Sequence, residues 1–158
     1  MKSTIFPTAA IAILLACQTV GYADDGGAAI KHLLERQQRA TGPACKMFSN
    51  GEVAGFLGKP VRDGHLAGMG SGCQWEAVDP SHGARGFIVN RRPKKDYNEI
   101  SGAPKFKEIK GIGTRAFIAD DGGWNAGAVS GDTFTLVLFQ GDVPAETALK
   151  ALRIAITR

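Results

Sequence analysis

Between Arg115 and Gln140 the sequence alternates side by side and turns twice on glycine. Phe134, Leu136 and Leu138 share one face of a run over 133–140, and Trp124, Ala126 and Ala128 share one face of a run over 123–129. Successive side chains of a strand point to opposite faces, so a period of two marks half-buried strands. Asp120-Asp121-Gly122 and Ser130-Gly131-Asp132 separate these runs from each other and from a third at 115–119. Such short glycine turns join antiparallel neighbours, because a parallel pair would need a crossover of a dozen residues or more. The segment is therefore expected to be a three-stranded meander. Two further strand-like runs lie at 73–78 and 86–90.

Helical signals flank the strands. Ser49 and Glu52 have the spacing of a capping box ahead of Val53, Phe56 and Leu57, and Gly58 and Pro60 stop the helix. Near the C-terminus Asp142 is the expected cap, Pro144 falls in the first turn, and Leu149, Leu152 and Ile156 line one face. The fold class that follows is α+β: a curved antiparallel sheet with helices packed on one face. The 158 residues are 44% hydrophobic and 22% charged, which suits one folded domain and excludes a disordered or multi-span chain. The 21 glycines without a repeat fit many turns, not long helices.

The first residues read as an export signal. Lys2 precedes an uncharged apolar stretch over 5–16, too short to span a bilayer comfortably. Gly21-Tyr22-Ala23 offers a cleavage site that makes 1–23 a signal peptide, while Leu14-Leu15-Ala16-Cys17 resembles a lipobox that makes 1–16 a lipoprotein signal and Cys17 the acylated residue. A lead-in helix or linker over 24–43 follows, with an amphipathic stretch at 28–40, and the α+β domain takes 44–158. Either cleavage removes Cys17 from the thiol pool and leaves Cys45 and Cys73. An even pair in an oxidising envelope compartment reads as a disulfide, contributing roughly 3.5 kcal/mol by loop closure. Two buried thiols are the alternative. A metal pair is disfavoured, because no ligand spacing accompanies them.

The order of landmarks resembles a known family. A Cys precedes a short helix ending Leu57-Gly58; a glycine-rich loop leads to Gly72-Cys73-Gln74-Trp75; and Gly111-Ile112-Gly113-Thr114-Arg115-Ala116 precedes a strand. This layout is similar to that of small exported lipoproteins of actinobacterial type, a family of unknown function, and through them to the PsbP-like fold. The resemblance implies a Cys45–Cys73 bridge and an envelope location, and it carries over no catalytic residue.

Motifs with chemical potential are few. Gly111-x-Gly113-x-x-Ala116 matches a loosened dinucleotide fingerprint, but a strand, not a helix, is expected after it, so it reads as a turn. Gly68-Met69-Gly70-Ser71-Gly72 lacks the glycine a nucleophile elbow needs two residues before the serine. His32, His65 and His82 have no metal-ligand spacing, and no catalytic constellation, metal site or cofactor is expected. Arg91-Arg92-Pro93-Lys94-Lys95 is the densest cationic run and the candidate polyanion-binding segment. Trp124 and Asn125, after a turn, are candidates to line a ligand cleft. Trp75, two residues from Cys73, is expected to pack on the bridge.

The functional expectation is a non-enzymatic exported binding module of the periplasm or envelope surface. Its partner would be an envelope protein or an anionic ligand, not nucleic acid. A lipid anchor at Cys17 is the route to peripheral membrane attachment. A structural partner of an envelope complex and a hydrolase with an unrecognised site are the other readings.

Overall fold

The computed structural model describes residues 42–67 and 70–158. The proposed leader, Cys17, the expected helix at 28–40 and two residues of the glycine-rich loop lie outside the described residues.

Seven strands form one antiparallel sheet: β1 (His65–Ala67), β2 (Gly72–Glu76), β3 (Gly86–Pro93), β4 (Lys107–Glu108), β5 (Arg115–Asp120), β6 (Trp124–Ser130) and β7 (Thr133–Gln140). Their order is β1-β2-β3-β7-β6-β5-β4, so the expected meander β5-β6-β7 inserts its last strand beside β3. Two helices, α1 (Asn50–Leu57) and α2 (Ala145–Ile156), contribute to the same core on one face. The chain is an α+β fold with a disulfide between Cys45 and Cys73.

The sheet departs from the sequence expectation at its edges. β1 lies inside the segment read as a glycine loop, and β4 is only two residues long. β3 runs on through Arg91, Arg92 and Pro93, which pair with Thr135, Phe134 and Thr133. Pairing with an established neighbour thus extends a strand through residues whose charge suggests a loop.

α1 starts as its sequence dictates. The Ser49 hydroxyl accepts from the Glu52 amide at 3.3 Å, and the Glu52 carboxylate accepts from the Ser49 amide at 2.8 Å. α2 differs at its start. The structure puts Pro144 at the N-cap, not Asp142, and the Thr147 amide donates to the Pro144 carbonyl. Proline biases the residue before it away from helix, which delays the first turn past Asp142.

The helix-bearing face holds the larger core. Phe87 is fully buried, with Phe48, Phe56, Trp75 and Phe139 around it at centroid distances of 4.9–5.9 Å. α2 meets this face through Ala148, Ala151, Leu152 and Ala155, all fully buried, and β6 answers with Ala126 and Ala128. Small side chains on both partners let helix and sheet approach closely.

The disulfide lies beneath Trp75, which is 1% exposed, as its shared strand face with Cys73 leads one to expect. A Cβ at Gly64 would fall 2.6 Å from the Trp75 ring and 2.9 Å from the Cys73 Sγ, so only glycine lets the chain cross there. The indole Nε1 donates to Asn50 Oδ1 at 3.1 Å, tying the start of α1 to β2.

The other face carries a smaller core of Phe117, Ala119, Val129 and Phe134. The connection between β3 and β4 crosses it as a strap and lays Tyr97, Ile100, Ala103 and Phe106 against it. Tyr97 meets Phe134 edge-on at 5.1 Å, and Phe106 stacks on Phe117 at 6.0 Å. Both ends of the strap are tied. The Lys94 amide donates to the Asp132 carbonyl at 2.8 Å, and the Asp120 amide donates to the Pro104 carbonyl at 2.9 Å.

Candidate functional site

The antiparallel pairing gives the sheet two chemically different ends. β3 finishes where β7, β5 and β2 begin, as the registers of Pro93 with Thr133, Arg115 with Val129 and Gly72 with Asn90 require. Arg91, Arg92, Lys94 and Lys95 therefore share one end with the β6–β7 turn and with the approach to β5, which carries Lys110 and Arg115. At the opposite end lie Glu76, Asp79, Asp120, Asp121 and Asp142, with Lys59, Arg62, Arg85 and Lys105 among them.

The expected polyanion-binding segment is fully displayed. Arg91, Arg92, Lys94 and Lys95 are all exposed, and none of their side chains makes a hydrogen bond or ion pair among the described residues. They do not form one loop surface, however. The pleat sends Arg91 and Arg92 to opposite faces of β3, while Lys94 and Lys95 sit on a 3-10 turn over Lys94–Asp96. Arg91 borders a hollow of about 180 Å³ with Pro43, Met47 and Ser71. A shallow depression of about 390 Å³ is lined by Arg91, Arg92, Pro93, Asp132 and Thr133. Two acids, Asp96 and Asp132, interrupt the patch without pairing to it.

Two of the cations at the opposite end, Lys105 and Lys59, are committed, whereas Arg62 and Arg85 are exposed without a side-chain bond among the described residues. Lys105 binds Asp120 at 2.8 Å, lies 5.4 Å from the centroid of the Trp124 ring, and holds the Asp120 carboxyl below its usual range. The Lys59 ammonium donates to the carbonyls of Asp79 and His82 and shapes the loop that carries His82. The contrast is between an exposed run of cations at one end and acids interleaved with cations, two of them bonded, at the other.

Trp124 and Asn125 do not make a cleft together. Alternation along β6 turns Trp124 toward the helix-bearing core, where it is half-buried under Lys105. Asn125 points to the other face, 5% exposed, and its amide donates to the Gly123 carbonyl at 3.1 Å.

A cleft that the sequence reading missed lies beside the strap. It encloses about 280 Å³ between Tyr97, Glu99, Glu108, Lys110 and Arg115, with the glycine loop as one wall. Glu99 lines it, accepting from the Tyr97 hydroxyl at 2.8 Å and pairing with the Arg115 guanidinium. That guanidinium lies 4.6 Å over the Tyr97 ring. Burial, then the Glu99 hydrogen bond and charge, push the Tyr97 phenol up to about 12, so it stays protonated at neutral pH. With Arg115 already paired to Glu99, this cluster reads first as a fastening for the strap. The Gly111–Gly113 wall is the turn its sequence suggests. A Cβ on Gly113, at φ +60°, would fall 2.1 Å from the Val129 carbonyl oxygen, and β5 follows it, not a helix.

Among the described residues no group of three metal-ligating side chains comes together, and no helix is long and apolar enough to cross a membrane. No family model, curated protein or solved structure matches the chain.

Proposed function

We propose that the protein is an exported, non-enzymatic binding module that takes an anionic ligand through Arg91, Arg92, Lys94 and Lys95. The observation that carries the reading is the state of those four side chains: exposed, adjacent and without a side-chain partner among the described residues. Four clustered cations against two neighbouring acids, Asp96 and Asp132, leave a net attractive potential at the surface, and its effect on association weakens with salt. Export supports the same reading from a second side. The leader-like N-terminus and the disulfide belong together in an oxidising compartment, where the resemblance to small exported lipoproteins also places such a domain.

The test is titration with inorganic polyphosphate, followed by calorimetry at rising salt. Binding should weaken steadily with salt and disappear when the four residues are replaced by alanine. Equal affinity of that variant, or no binding at low salt, would reject the assignment. Intact-mass measurement of protein recovered from the envelope would report the processed N-terminus and any acyl chain on Cys17.

A further inference from the structure

Arg91, Arg92, Lys94 and Lys95 are not an isolated run once the chain is folded. The approach to β5 brings Lys110, exposed and without a side-chain bond among the described residues, to the same end of the sheet beside Arg115, which Glu99 already holds, three strands away in the order β3-β7-β6-β5. At about 4.8 Å per strand that is roughly 14 Å of lateral spread. The patch also extends through the thickness of the sheet, because Arg91 and Arg92 project from opposite faces of β3. The positive charge is thus laid out over an area.

That layout discriminates between ligands. A small anion needs donors that converge, and the depression beside Arg92 has the Asp132 carboxylate in its lining residues. A linear polymer needs a track, and here the charges spread in two directions. A planar array of phosphates fits both directions at once. We propose that this end of the sheet docks on the headgroups of an anionic bilayer. The strands then stand away from the surface, and the end carrying Glu76, Asp79, Asp120, Asp121 and Asp142 faces solvent. The inference rests on the anionic-ligand reading above and names its ligand class. It requires no acyl chain.

The experiment compares two double charge reversals that change net charge equally. One, Arg92→Glu with Lys95→Glu, lies at the basic end. The other, Arg62→Glu with Arg85→Glu, lies at the acidic end, where both arginines are exposed. Each protein is measured for partition onto phosphatidylcholine vesicles with and without phosphatidylglycerol, and for polyphosphate binding. A cation near an anionic surface contributes about fivefold in partition. The basic-end variant should therefore lose at least tenfold on anionic vesicles, while the acidic-end variant changes less than twofold. Equal losses would mean that net charge alone governs attachment and would overturn the proposed orientation. Wild-type protein that binds polyphosphate but shows no salt-sensitive preference for anionic vesicles would overturn the bilayer and leave the anionic-ligand reading standing. Failure with both probes would remove both.

Discussion

The two faces of the sheet are built by different means. The helix-bearing face packs Phe48, Trp75, Phe87 and Phe139 around one centre, adds an alanine-lined helix, and has a disulfide beneath its indole. The strapped face relies on four buried side chains and a connection fastened by Tyr97, Glu99 and Arg115. The first is apolar and closed. The second keeps charged groups within reach of solvent, with the Arg115 side chain 62% exposed and that of Glu99 21% exposed. Burying apolar area sets the stability of a domain, whereas an exposed ion pair adds little. The strapped side should therefore open first, through local rather than global unfolding.

The largest test of this contrast is truncation of one aromatic from each face. Phe87→Ala should cost about 3–5 kcal/mol in denaturant unfolding, as a fully buried aromatic does. Phe106→Ala, from the half-buried strap, should cost about 1–2 kcal/mol. Similar costs would erase the distinction. Next in size is the bridge. Cys45→Ala with Cys73→Ala should lower stability by about 2–4 kcal/mol, and hydrogen exchange should accelerate in α1 and β2 before it does in the strap.

A smaller effect is expected from Arg115→Ala. Amides of the 97–106 strap should exchange faster while the global transition moves by less than about 1 kcal/mol. Spectroscopic titration of the Tyr97 phenol adds a second readout. Its value of about 12 in the folded protein, against 10.0 for an unperturbed phenol, means the fold favours the protonated form. That contribution is complete below pH 10 and is lost as pH rises toward 12. Glu99→Gln should bring the phenol back toward its ordinary value, because it removes a neighbouring negative charge.

The smallest effect belongs to the C-terminus. Arg158 bonds Glu52 at 2.5 Å, donates to the Met47 carbonyl, and lies over Phe48. The Arg158 hydrogen bond, with that of the Ser49 amide, lowers Glu52 to about 2 from 4.5. A depressed carboxylate stabilises the fold above pH 4.5, and that share is lost as pH falls toward 2. Both side chains are more than a third exposed, so Arg158→Ala should cost less than about 1 kcal/mol at neutral pH and flatten the acid limb of the stability curve.

What the sequence disclosed was local. The meander, the capping box of α1 and the packing of Trp75 on Cys73 each depend on residues a few positions apart, where periodicity and turn chemistry act directly. β1 and β4 were hidden because edge strands of three and two residues are too short to show alternation. The pairing of β3 with β7 brings together residues forty or more positions apart, and no local pattern encodes it. The same gap concealed the basic end. Lys110 and Arg115 join Arg91 only through strand order, so the sequence showed a charged run where the fold makes a charged plane. The separation of Trp124 from Asn125 was available from alternation alone, since neighbours on a strand face opposite ways.

The bridge has a mechanical consequence. Cys45 stands near the start of the described chain and its sulfur is joined to Cys73, 28 positions later, in the second strand of the sheet. Tension arriving from upstream would pass through that link into β2 and bypass α1 and everything else between the two sulfurs. In a single-molecule pull, the oxidised protein would hide that segment from the applied force. Reduction would release it as a slack of roughly 90 Å at full extension.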